Sequence, residues 1–277
     1  MTFRFYHIIN ALSLDIALGA GILSLVLGRY LGLQIPVFVL LALVISVWII
    51  YTADHLLDAR TIPHQATSFR HHFHQHFRKE ILIALFISFI GLFFILVQLP
   101  PITIFYGIPV VLGVSIYFIL NRFFGLTFQK EILIAALYVI GVYIGPYSLS
   151  SGEIPKEMSL FLLQLGLMAW TNLLIFGIYE QGEDLQDGLK SMVTSWGVQK
   201  SGQLVKILLS TTFVLAIFGL LTFIEAINYF KLQMVFLFMN GVLGTLYFRR
   251  ETLVQSGLQY RYFGDGIFFM PVAFFWF

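Results

Sequence analysis

The amino-acid sequence predicts an all-α, polytopic membrane protein of nine transmembrane helices, and three observations carry that expectation. Residue usage is 59% hydrophobic and 17% aromatic against only 11% charged, with a mean hydropathy of +0.89. That is far from the balance of a soluble domain. Apolar stretches close to the ~20 residues that cross a bilayer recur along the whole chain. The basic residues, finally, segregate to alternate loops, as the positive-inside rule asks of a spanning bundle.

The expected spans are 8–28, 34–53, 80–99, 102–120, 131–149, 158–179, 205–224, 231–248 and 262–277. The first carries Asp15 beside Asn10 and Ser13, and a carboxylate within lipid should face the bundle interior. Pro100-Pro101 makes a tight turn between the third and fourth spans, and the Ser/Gly/Pro segment from Ser148 to Lys156 a short loop between the fifth and sixth. Asn172 in span six is a candidate polar contact inside the bundle, counted here among the substrate-facing residues. The last span is short, with Asp265 placed to pair with a cation such as Arg261 between Gly264 and Gly266. Residues 1–277 read as one helical domain without an internal linker, and no span looks like a cleaved signal peptide. One echo occurs, Lys79-Glu80-Ile81-Leu82-Ile83-Ala84 against Lys130-Glu131-Ile132-Leu133-Ile134-Ala135. Without a third copy it does not make a repeat architecture. Its simplest reading is two charged starts of apolar helices.

With the amino terminus placed in the cytoplasm, only Arg29, Lys156 and Lys231 of the 16 basic residues fall on the outer side. An integral protein of a bacterial-type inner or plasma membrane is the expectation. The spread of these cations over loops excludes a nucleic-acid surface. The absence of cysteine excludes disulfides, thiolate metal sites and cysteine nucleophiles.

Two acidic pairs stand out among only 14 Asp and Glu residues: Asp54/Asp58 and Glu180/Asp184. Each follows an apolar run, and a spacing of four puts both carboxylates on one helix face. Both fall on the basic, cytoplasmic side, in the two longest expected loops, about 54–79 and 180–204. Two such faces brought together form a negative pocket suited to divalent cations. Magnesium is commonly held by one or two carboxylates with substrate phosphates completing its shell, so the pattern points to diphosphate chemistry.

The segments read Tyr51-Thr52-Ala53-Asp54-His55-Leu56-Leu57-Asp58-Ala59-Arg60 and Tyr179-Glu180-Gln181-Gly182-Glu183-Asp184-Leu185-Gln186-Asp187-Gly188-Leu189-Lys190-Ser191. Here the chain resembles the UbiA superfamily of intramembrane prenyltransferases, nine-helix bundles with acidic motifs after helices two and six. The second motif matches through Glu180, Asp184 and Gly188-Leu189-Lys190-Ser191, with Gly197 beyond. In the first, Asp54 and Asp58 match the last two acids, while Ile50 and Tyr51 occupy the leading Asn-Asp. Thr67 and Arg70 keep part of a following Thr/Arg motif.

The resemblance implies a UbiA-like bundle in which Mg2+ ions bridge the motifs to an isoprenyl diphosphate. Asp54 and Asp58 would hold one ion, Glu180 and Asp184 the other, these four being the expected catalytic and metal-binding residues. Lys190 with Arg70 or Arg78 would contact the phosphates, Arg suiting bidentate contact. Asp187 would support the metal or substrate, and Tyr51 would donate a hydrogen bond or shield a carbocation. The implied partners are an isoprenyl diphosphate, a lipophilic acceptor and the lipid bilayer. A terpene cyclase, a transporter and a protein that binds prenyl lipid without turnover remain open alternatives. The segment from Arg70 to Arg78 holds four of the seven histidines. His72 and His76 have zinc-ligand spacing, while Phe69, Phe73 and Phe77 mark an amphipathic interfacial lid, the favoured reading.

Overall fold

The computed structural model describes residues 2–125, 129–150, 154–223, 227–253 and 259–275. Within them the regular structure is helical, α-helix throughout but for one terminal 3-10 helix, joined by short turns. The elements are α1 (Thr2–Ala11), α2 (Leu14–Tyr30), α3 (Val37–Thr61), α4 (Phe69–His76), α5 (Arg78–Leu96) and α6 (Pro101–Phe124). They continue as α7 (Gln129–Leu149), α8 (Lys156–Gln186), α9 (Met192–Thr222), α10 (Ile227–Phe248), α11 (Arg250–Leu253) and α12 (Gln259–Gly266), before the 3-10 helix Ile267–Phe275. Seven of the described helices, α3 and α5 through α10, are long and apolar enough to cross a membrane.

The first and last expected spans take a different form. Ser13 adopts a left-handed conformation, φ 54°, which breaks the first into α1 and α2. The last is divided into α12 and the 3-10 helix around Gly264-Asp265-Gly266, with Pro271 inside the latter. Residues 276–277 of that span, like 151–153 of the outer loop, lie outside the described residues. The two expected acidic loops are mostly helix. Helix α3 runs on through Asp54 and Asp58, and the 31-residue α8 through Glu180 and Asp184, so all four acids sit on rigid supports.

Helix α8 is the axis of the bundle: 61% of its apolar window is buried, against 11% for α5 and α6, whose phenylalanine and isoleucine side chains face outward. Phe161 of α8 stacks on Phe236 of α10 at 4.4 Å. Polar groups removed from water need partners within the protein, and two buried pairs supply them between helices. Gln164 and Gln233 exchange hydrogen bonds of 3.1 and 2.7 Å between α8 and α10. Thr212 donates to Asn240 at 2.9 Å between α9 and α10.

Gly188, at φ 71°, ends α8. The Leu189 N–H returns to the Asp184 carbonyl at 2.8 Å, a closure that favours glycine in the left-handed position. Ser191 then caps α9 through Thr194. The start of α9 is also fixed from α7, where the Glu131 carboxylate accepts the Met192 N–H at 2.7 Å. That tie makes the two halves of the internal echo unequal, because Lys79 and Glu80 are exposed at the start of α5.

Helix α12 lies against α8 at Gly264, where an added Cβ would come within 2.4 Å of the Phe176 ring and 2.6 Å of Asn172 Oδ1. Gly264→Ala is expected to destabilise the fold by about 1–3 kcal/mol through overpacking, read as a lower thermal midpoint in detergent. Gly266→Ala meets nothing within 4 Å and should change the midpoint little.

Candidate functional site

The polar end of the bundle is built around two cations. Lys130, at the start of α7, places its ammonium 2.9 Å from Asp58 Oδ2 and 3.5 Å from Asp54 Oδ2. Tyr117 of α6 donates to the other Asp54 oxygen at 2.9 Å. Asp54 is thus closed in by α6 and α7, while Asp58 keeps Oδ1 open. In sequence Lys130 stands out only as an expected cytoplasmic basic residue and as the start of the internal echo. Its apolar sequel marked it as a helix start, and nothing local showed that α7 would set it against α3.

Arg70 of α4 is the second cation. Its guanidinium donates to His55 Nε2 at 3.2 Å and to Asn10 Oδ1 at 3.3 Å. Asp184 is half-buried and lies within electrostatic reach of Lys130, Arg70 and Asp58. The two acidic helix ends therefore meet across Lys130 and Arg70. Glu180 is placed differently. Tyr260 donates to its Oε1, and Arg261 of α12 grips both oxygens as a bidentate ion pair. The Arg261 guanidinium also stacks over Phe176 at 4.6 Å. The second pair is divided by this: Glu180 is neutralised inside the protein, while the Asp184 carboxylate has no hydrogen bond or ion pair among the described residues.

Other expected site residues have structural partners. Both oxygens of Asp187 accept the Thr67 N–H, at 2.9 and 3.2 Å, and Oδ2 also the Ser68 N–H at 3.5 Å. It thereby ties the segment before α4 to the end of α8. Asn172 donates to Asp265 at 3.5 Å. Asp265 was expected to meet a cation at the entry to the last helix. It instead accepts from Asn10 at 3.0 Å, and the same Asn10 amide donates to Asp15 at 2.7 Å. Arg261 is committed to Glu180. Tyr51 is half-buried with its ring 6.4 Å from that of His55. Lys190 and Arg78 are exposed, at the α8–α9 turn and the start of α5.

Helix α4 lies over this end with Phe69 and Phe77 outward and His71 and His74 inward, the amphipathic pattern of a lid. Beneath it a cavity of about 30 Å³, room for one water, is lined by Asn10, Arg70, His71, Glu180, Glu183 and Arg261 among others. Ser68 Oγ lies 2.7 Å from His71 Nδ1, and His74 Nδ1 bonds the Arg70 carbonyl at 2.9 Å. Burial, more than the nearby Arg70 charge, pushes both rings down to about 4.

Among the described residues no three acidic or histidine side chains converge to hold a metal by themselves, His72 and His76 included. Magnesium needs only one or two carboxylates when phosphates complete its shell. The open Asp184 carboxylate and the free Asp58 oxygen fit an ion that enters with a diphosphate.

No protein-family profile matches the chain, and no curated protein is significantly similar to it. Its architecture does match solved structures. A UbiA homologue from Archaeoglobus fulgidus bound to DMAPP and Mg2+ superposes with a TM-score of 0.65 at 13% identity, covering 96% of this chain and 98% of that one. A second structure of a UbiA homologue from the same organism gives 0.57 at 13% identity, covering 96% and 100%. The chain has the UbiA fold.

Two outcomes follow from the buried charges. Arg261→Ala leaves Glu180 without its cation and should cost roughly 3–5 kcal/mol of stability. Adding Glu180→Gln should recover part of the loss in a thermal-denaturation double-mutant cycle. Because the folded rings of His71 and His74 bind protons only near pH 4 and unfolded histidine near 6.5, the unfolded state takes up more protons between those values. Stability should therefore fall as pH is lowered through that window. A pH series of melting midpoints should slope less steeply for His74→Phe than for the wild type.

Proposed function

We propose that this chain is an intramembrane, Mg2+-dependent prenyltransferase. It would ionise an isoprenyl diphosphate and pass the prenyl group to a lipophilic acceptor. The observation that supports this best is the meeting of two acidic helix ends across Lys130 and Arg70, in a fold shared with a protein whose solved structure holds DMAPP and Mg2+. The reading takes residues 1–277 as one helical domain in a bacterial-type inner or plasma membrane, with the amino terminus and both motifs cytoplasmic.

The diphosphate would lie between α3 and α8, beneath α4. Bound Mg2+ would supply positive charge to the leaving phosphate oxygens, held by Asp184 and Asp58. Lys130 and Arg70 would offer N–H donors to the remaining oxygens, Arg70 as a planar fork and Lys130 as a point charge. As the allylic C–O bond breaks, its electron pair stays with the diphosphate, and fixed cations aimed at that developing charge lower the barrier most in a dry site. The electron-rich acceptor then bonds the allylic carbon and releases a proton. Tyr51 lies on the face of α3 that carries Asp54 and His55, where its ring faces the site without adding charge. Since the cavity under α4 holds only a water, α4 must lift for entry, and Asp187 fixes its leading end as the hinge side.

The acids Asp54, Asp58 and Glu180, already paired within the protein, favour one alternative, a prenyl-lipid-binding protein without turnover. Purified protein given C10 to C20 allylic diphosphates and Mg2+ separates the readings through diphosphate release. Release only with an added aromatic or lipid acceptor supports transfer, release without acceptor indicates cyclisation, and binding without release indicates the inactive form. Asp184→Asn should reduce turnover by roughly 100-fold or more while leaving the melting midpoint near that of the wild type. Undiminished turnover in that variant would remove Asp184 from the site.

A further inference from the structure

The first acidic pair was expected to hold a metal ion, yet its carboxylates already share a cation of the protein's own. The Lys130 ammonium lies 2.9 Å from Asp58 and 3.5 Å from Asp54, and Tyr117 takes the remaining Asp54 oxygen at 2.9 Å. Two features hold it there, and a third concerns the neighbouring residue Tyr51. The Lys130 side chain is only 15% exposed and Asp54 only 11%, so neither can turn into water to release the other. Glu131, the next residue, is pinned by its 2.7 Å bond to the Met192 N–H, which prevents the start of α7 from drifting outward. Tyr51, three residues before Asp54 and on nearly the same helix face, brings a phenol where a further carboxylate would be needed to draw in a divalent ion.

Asp184 differs on each point: it is half-buried, has no hydrogen bond or ion pair among the described residues, and faces the same cluster. We infer that Lys130 is a built-in replacement for one metal ion, so that the site binds diphosphate with a single divalent cation, on the Asp184 side, instead of two. An ammonium has three N–H donors, and two point at Asp58 and Asp54. The third is available to a phosphate oxygen, and Lys130 bridges acid to phosphate as a metal would. This inference rests on the diphosphate reading above.

The test counts ions instead of turnover. Purified protein in detergent is dialysed to equilibrium with Mn2+ and 32P-labelled inorganic pyrophosphate, and bound Mn2+ per bound pyrophosphate is measured. The wild type should give a ratio of one, and Lys130→Met, which frees Asp54 and Asp58, a ratio of two. Lys130→Arg, which keeps the charge, should stay at one. A wild-type ratio of two overturns the inference and leaves the diphosphate reading standing. So does a ratio of one in Lys130→Met that still binds pyrophosphate. No pyrophosphate binding by the wild type, with or without Mn2+, overturns both. Should Lys130→Met fail to fold, the wild-type ratio decides alone.

Discussion

The structure depends on how carboxylates are neutralised at the edge of a low-dielectric bundle. An ionised acid removed from water carries a penalty of several kcal/mol unless a cation and hydrogen bonds compensate it. Lys130 does this for Asp54 and Asp58, and Arg261 for Glu180. Each pairing joins distant parts of the chain, α7 to α3 and α12 to α8. The ion pairs that make the acids tolerable therefore also fix which helices are neighbours at the polar end.

Around this centre shared polar side chains join several elements. Asn10 is shared by Asp15, Asp265 and Arg70, and thereby connects α1, α2, α12 and α4. Asp187 gives its carboxylate to the backbone entering α4. The outer part of the bundle uses neutral pairs instead, Gln164 with Gln233 and Thr212 with Asn240. The outer end also has the Glu157 carboxylate, which accepts from the Tyr30 hydroxyl at 2.7 Å.

Helix α4 contributes differently. Phe69 and Phe77 are exposed, and the inward His71 and His74 rings pack beside His55. With both rings pushed down to about 4 by burial, the inward face of α4 adds little charge beside Arg70 at neutral pH. Lys130 and Arg70 are each held by neighbouring contacts, Lys130 by Asp58 and Arg70 by His55 and Asn10.

The sequence by itself determined the helical membrane class, because apolar runs of bilayer length and segregated basic loops are properties of linear composition. It also determined the two acidic faces, since a spacing of four on a helix needs no knowledge of the rest of the chain, and the UbiA resemblance led to the fold the structure has. Only the tertiary structure decided which acids are available. Glu180 and Asp184 look equivalent in sequence, yet one reaches Arg261, 81 residues away, and the other does not. Lys79 and Lys130 begin nearly identical segments and both helices pack against α3, yet only Lys130 sets its ammonium against the α3 acids, Lys79 being exposed. The break at Ser13 and the division of the last span were likewise hidden, because hydropathy records how apolar a segment is and says nothing of where its backbone turns. Pairing of buried charges is a long-range choice, made by which helix ends meet, and no local pattern encodes it.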